Sequence, residues 1–325
     1  MPLEENTKKL LELVFSYDCS RTANVVDRKL QLAYYTTAET AMKVIKGRSL
    51  WLRNAGLMND YSEIEYGKNV MAPVVNGPLG DRLRLLLDAV KPGMAGEVMR
   101  RHEVHRGHAR EAVFTASVSE HDPNDRLGRL SMWRAYGGPV AGVALLFKSD
   151  VVDMELDPDL EVSASPVLYG GPDDFHAELE KMIRGLESNI EFLKSSDADI
   201  LENAVTNLLQ FSMFSIKHPG FREEQEWRII YRPFEFPSDH VLRSTVTVSG
   251  IPQAIFELPF HNPERGPLFN LPQLDLNEIL EGVVLGPCGY PETIFRAFMD
   301  EMAAAGIESP RDRIFVSNIP LRQRW

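Results

Sequence analysis

Ala141-Gly142-Val143-Ala144-Leu145-Leu146-Phe147 is a near-continuous apolar run. A run this short, without polar alternation, is the pattern of a central strand covered on both faces. A chain built around it must supply strands to either side and layers above and below. Further short strands read at 30–35, 49–52, 112–117, 162–169, 243–248, 279–286 and 313–317. Between them lie stretches of helical spacing, so the reading is an α+β fold with a central sheet and flanking helices.

Residues 4–15 carry Leu10, Leu11, Val14 and Phe15 at helical spacing, part of an N-terminal helical extension over 1–29. Thr36-Thr37-Ala38-Glu39 has capping-box spacing, with Thr36 as cap of a helix that Gly47 stops. Asn59 or Asp60 is placed to cap the next helix, with Glu63 in its first turn. Residues 79–110 are helical with a break near Lys91-Pro92-Gly93. The stripes Phe175, Leu179, Met182, Leu186 and Ile200, Leu201, Ala204, Val205 predict a helical hairpin over 173–216, inserted into a single domain spanning 1–325.

The stretch Phe221-Arg222-Glu223-Glu224-Gln225-Glu226-Trp227-Arg228-Ile229-Ile230-Tyr231 follows a helix-ending Pro219-Gly220 and reads as a strand. If it is extended throughout, Glu224, Glu226 and Arg228 share one face and Gln225, Trp227, Ile229 and Tyr231 the other. Two carboxylates and a guanidinium in a row describe either a salt-bridged solvent face or a site whose carboxylate is held ionised by arginine.

With 35 basic and 47 acidic residues, the chain's net charge is -12, which disfavours sequence-independent attraction to nucleic acid or anionic membrane. The one dense basic segment is 100–110, where His102, His105 and His108 recur every third residue. A zinc site there is weakened by Gly107 and the flanking arginines, so a solvated basic face is expected, and no metal. No transmembrane run or secretory signal is read, and Cys19 and Cys288 lack metal-ligand spacing; a reduced, cytoplasmic location is the expectation. Walker, dinucleotide-fingerprint, nucleophile-elbow and His-Glu-x-x-His patterns are all missing.

Four segments together resemble a known family. They are Tyr34-Tyr35-Thr36-Thr37 with Leu50-Trp51-Leu52; Met58-Asn59-Asp60-x-x-Glu63; Ser131-Met132-Trp133-x-x-Tyr136-Gly137 leading into Gly142-Val143-Ala144-Leu145; and Phe221-x-Glu223-Glu224-x-Glu226-Trp227-Arg228. Over roughly 30–322 the chain resembles the bacterial domain of unknown function 2971. Its layout resembles, more distantly, the ADP-ribosyltransferase fold with its split central sheet. That resemblance implies cleavage of the nicotinamide–ribose bond of NAD, the co-substrate, in a toxin or phage-defence effector. Glu226 would face the ribosyl cation, and Glu224 would orient the acceptor. Tyr34, Tyr35 and Thr36 would hold the ribose and nicotinamide ends. Asn59 and Asp60 would line the ligand site, and Trp133 or Tyr136 would stack on a ring. Arg228 would keep Glu226 ionised or meet a phosphate. Tyr34 stands where similar transferases often place histidine or arginine. The alternatives are a non-catalytic module binding a nucleotide-like small molecule, and a nucleic-acid-modifying effector using 100–110.

Overall fold

A computed structural model describes residues 4–57, 62–152, 158–248 and 250–320. In chain order the elements begin with α1 (Glu5–Val14), α2 (Ser16–Asp27), β1 (Gln31–Thr37), α3 (Ala38–Gly47) and β2 (Ser49–Asn54). Next come α4 (Ser62–Val75), α5 (Pro78–Val90), α6 (Met94–Ala112), β3 (Phe114–His121), α7 (Leu130–Tyr136) and β4 (Gly142–Lys148). They continue with β5 (Val162–Pro166), β6 (Leu168–Tyr169), α8 (Pro172–Ser188), α9 (Ile190–Ser195), α10 (Ala198–Phe214) and β7 (Ile216–Lys217). The last are β8 (Glu226–Tyr231), β9 (Leu242–Val248), β10 (Ile251–Pro259), α11 (Leu276–Ile279), β11 (Leu280–Leu285), α12 (Pro291–Ala304) and β12 (Ile314–Val316).

The chain separates into two compact units, each assembled from three stretches of sequence. One takes Met1–Ala23, Asn54–Val113 and Ser165–Glu223; the other takes Asn24–Arg53, Phe114–Ala164 and Glu224–Trp325. The second unit carries a mixed sheet in the order β12-β11-β4-β1-β3-β2-β10-β9, with β8 also paired to β3, and β5 to β8. Three strands therefore lie against β3, and the sheet branches there. β11 and β12 run parallel, whereas β1 is antiparallel to both β3 and β4.

Why β4 sits in the middle follows from its composition. Val143 and Leu145 join the core on one face, with Leu32, Tyr34 and Val118 from the sheet and Val44 and Ile45 from α3. Ala144 and Leu146 join Ala33, Tyr35 and Val284 beneath Met132 and Trp133 of α7 on the other. Each fully buried Val or Leu contributes about 1.5–3 kcal/mol, so a strand buried on both sides anchors the sheet.

Several local expectations are corrected. The cap of α3 is Thr37, not Thr36: β1 runs one residue further, and the Thr37 hydroxyl accepts from Thr40 N at 3.2 Å. Glu39 pairs with Lys43 at 2.6 Å instead of closing a capping box. Gly47 is the last helical residue, and the left-handed residue that ends α3 is Arg48, at φ 47°. The 173–216 segment holds three helices because α9 interrupts the hairpin. β10 was hidden by its prolines, yet Pro252 and Pro259 sit near its ends, where they are tolerated.

The other unit packs α1, α4, α5, α6, α8 and α10 together with the parallel pair β6–β7. Lys217 at the end of β7 meets Glu63 in the first turn of α4 at 2.8 Å, with only 3% of the lysine side chain exposed. In the same unit Asp18 and Glu178 line a small cavity beside Ser165. Burial pushes the Asp18 carboxyl from 3.8 up to about 7, against the pull of its Ser165 hydrogen bond. A carboxyl raised on folding favours the folded state at low pH and loses that contribution as pH climbs towards its folded value. The Asp18 contribution to unfolding free energy is expected to fall between about pH 4 and 7, so in urea melts the native protein loses stability relative to Asp18→Asn across that range. Equal slopes for the two proteins would contradict it.

Candidate functional site

The segment before β8 is not extended throughout. Pro219–Glu224 forms a 3-10 turn, and Gln225 takes φ 45° before the strand begins at Glu226. The expectation that Glu224 shares a face with Glu226 and Arg228 is therefore corrected: a left-handed residue stands between them and resets the alternation. Such a conformation costs a non-glycine residue of order 1 kcal/mol. Arg129 helps offset it. Its guanidinium donates to Glu224 O at 2.7 Å, to Gln225 Oε1 at 2.6 Å and to Glu120 O, while Glu120 N donates to Gln225 O at 2.9 Å. Arg129 carried no motif in the sequence, and its role is visible only once 120, 129 and 225 are adjacent.

Within β8 the alternation is as expected. Trp227 packs into the main core and donates from Nε1 to Glu120 Oε1 at 3.1 Å. Glu226 and Arg228 lie on the opposite face. Arg228 Nε donates to Glu226 Oε1 at 2.9 Å and Nη2 to Oε2 at 3.3 Å, with side-chain exposures of 5% for the arginine and 4% for the glutamate. The solvent-face reading of this pair is thus corrected to a buried one. A lone buried carboxylate would cost several kcal/mol, which a forked guanidinium contact largely removes while holding the carboxylate in one orientation.

The register places hydroxyls beside this pair. Ser119 is opposite Glu226 and Ser117 opposite Arg228. Opposed residues of an antiparallel pair share a face. The Ser117 hydroxyl oxygen is buried without a hydrogen-bond partner. Across β3, Ser119 is also opposite Ala33, so the face continues onto β1 and includes Tyr35.

The remaining candidate residues divide. Tyr35 joins the Glu226 face; its hydroxyl accepts from Arg129 N at 3.1 Å, and its ring meets Trp133 edge-on at 4.8 Å. Trp133 is 4% exposed and donates to Leu127 O at 2.9 Å. Its ring fills a slot made by three glycines: an added Cβ would come within 2.6 Å at Gly128, 3.1 Å at Gly142 and 2.8 Å at Gly286. Gly128 also holds φ 70°, so only glycine meets both demands there. Tyr136 packs at the edge of this cluster. Tyr34 and Thr36 belong to the opposite face of β1 from Glu226; burial pushes the Tyr34 hydroxyl up against the pull of its hydrogen bond to Thr36 and of Arg53. Asn59 and Asp60 lie outside the described residues.

The basic segment of α6 is not a solvated face throughout. His102 and His105 are buried, and His105 packs edge-on against Phe214 at 5.8 Å. Arg100 pairs with Glu97 at 2.5 Å, and Arg101 donates to Asn203 Oδ1 at 2.8 Å. Among the described residues no group of three or more His, Cys, Asp and Glu is placed to hold a metal, and no helix is long and apolar enough to cross a membrane.

Residues 132–229 match the family described as Protein of unknown function (DUF2971). The match supports the resemblance to that family across α7, β4 and β8, and so takes in Trp133, Tyr136, Glu224, Glu226 and Arg228. Tyr34, Tyr35 and Thr36 lie outside the matched segment. No curated protein and no solved structure matches the chain.

A double-mutant cycle measures how tightly the β8 pair is coupled. Glu226→Gln alone is expected to destabilise by about 3–5 kcal/mol, because it removes the carboxylate charge that faces the buried Arg228 guanidinium. Adding Arg228→Met is expected to restore most of that loss. Additive losses in urea melts would contradict the coupling.

Proposed function

We propose that the chain acts on NAD as co-substrate through ADP-ribosyl-type chemistry, with Glu226 as the carboxylate facing the ribosyl cation. What carries the reading is the buried Glu226–Arg228 pair on a strand face with Ser117, Ser119 and Tyr35.

The bond that breaks joins nicotinamide to C1 of the ribose, and nicotinamide leaves with the electron pair as a neutral molecule. The sugar is left with oxocarbenium character, which a fixed carboxylate stabilises without reorganising. A nucleophile then adds at C1 and releases a proton. The role implied for Glu224, orienting a protein acceptor, depends on strand spacing to Glu226, and Gln225 interrupts that spacing. Water is the simpler acceptor, so the favoured reaction is hydrolysis of NAD to ADP-ribose and nicotinamide. The Arg228 guanidinium forks onto the Glu226 carboxylate, a contact that favours the charged form, and the Ser117 hydroxyl oxygen, buried without a hydrogen-bond partner, is the group on this face that a ribose hydroxyl would satisfy.

A second reading has its own support. Arg228 occupies both carboxylate oxygens in a pair that is almost wholly buried. That geometry suits a non-catalytic module which binds a nucleotide-like ligand.

The deciding experiment incubates purified protein with NAD and measures nicotinamide, alongside melting curves with ADP-ribose. The enzymatic reading expects release that falls at least about 100-fold in Glu226→Gln. Glu226→Asp, which retains the charge, is also expected to be slow. A raised melting temperature with no release supports the binding module. Absence of both contradicts both readings.

A further inference from the structure

The helical unit contains a cavity of about 200 Å³ that the proposed NAD chemistry does not use. Lys68, Arg84 and Arg106 line it, with Glu103 as the one carboxylate. On a chain of net charge -12 this is a local reversal of sign. Among the described residues each cation pairs with a carboxylate three positions away on its own helix: Lys68 with Glu65 at 3.2 Å, Arg84 with Asp81 at 2.9 Å, Arg106 with Glu103 at 3.4 Å. The carboxylate partners are exposed, at 42% to 71%, so water screens these pairs and an anion in the cavity can compete for the cations.

The rest of the lining has a different chemistry. Met71, Met99, Met213 and Val75 give an apolar wall, and thioether side chains adapt to irregular apolar shapes. His102 lines the same cavity, is 9% exposed, and its buried Nδ1 has no hydrogen-bond partner. Burial lowers the His102 pKa from 6.5 to about 4, so the ring is neutral near pH 7 and adds no positive charge to the cavity wall. Thioethers and imidazole also suit a soft metal ion, but three cations around one space oppose a further positive charge.

We propose that this cavity binds a small organic anion, with a carboxylate or phosphate head held by Arg84, Arg106 and Lys68 and a compact apolar body against the methionines. Size agrees: an apolar cavity of about 150 Å³ holds benzene, so this one accommodates a substituted ring. A dissociation constant below about 1 mM for a ligand of roughly nine heavy atoms lies well within what such a ligand can reach.

Calorimetry on the full chain with benzoate, phenyl phosphate, benzyl alcohol and inorganic phosphate tests the proposal. At least one of the two organic anions is expected to bind at least about 10-fold more tightly than benzyl alcohol and than inorganic phosphate. Stronger benzoate than phenyl phosphate identifies a carboxylate head, and the reverse a phosphate head. The half-buried pair Arg84→Gln and Arg106→Gln is expected to weaken that ligand at least about 10-fold while leaving the melting temperature of the unliganded protein nearly unchanged. Equal binding of benzyl alcohol would make this an apolar void only. Equal binding of inorganic phosphate would make it a surface anion patch. Either outcome, no binding by either organic anion, or indifference to the double substitution overturns the proposal.

Discussion

A buried ion pair between two residues of the same strand is the constraint from which the β3–β8 region follows. Glu226 and Arg228 are two positions apart, so an extended backbone puts them side by side on one face. Burying either alone would cost several kcal/mol, and the contact survives only while both stay on that face. A one-residue slip of β8 against β3 would drive both charges into the core now filled by Trp227 and would expel the indole. The pair thus acts as a register lock as well as a candidate chemical group. The left-handed Gln225 and its ties to Arg129 and Glu120 set where the strand begins.

The two faces of the sheet divide the labour. One is a continuous apolar core extending from β1 and β4 to α3 and α12, and it absorbs Tyr34 and Trp227. The other changes character along its width. Under α7 it is apolar, with Trp133 seated among glycines; towards β3 and β8 it becomes serine, glutamate and arginine. A polar layer that is buried yet contains an unpartnered serine oxygen is a costly place to leave a hydroxyl unless something else meets it. That cost is the physical reason to look for a ligand there rather than among the other candidate residues.

Much of the architecture is legible in the sequence because it depends on periodicity. The apolar run at 141–147, the stripes of α8 and α10 and the break at Pro92-Gly93 all locate their elements to within a few residues. What escaped depends on single-residue backbone conformation or on distant partners. No local pattern announces that Gln225 is left-handed, because glutamine has no preference for that region; Arg129, 96 positions away, is needed to hold it. The same applies to the capping of α3, where Thr36 and Thr37 are chemically identical and only the length of β1 chooses between them. Burial of His102 and His105 was likewise hidden, because charged neighbours at every third position read as a wet face while α10 supplies the cover.

Tyr34 shows the limit of reading a site from adjacency in sequence. Tyr34, Tyr35 and Thr36 read as one binding segment, but a strand sends neighbours to opposite faces, and only Tyr35 shares the face of Glu226. The central claim is that this face receives the ribose of a nucleotide. The most direct test is a crystal structure of the full chain with ADP-ribose. A ribose hydroxyl is expected within hydrogen-bonding distance of the Glu226 carboxylate or the Ser117 hydroxyl. ADP-ribose bound elsewhere, with the Glu226–Arg228 face unchanged, would contradict it.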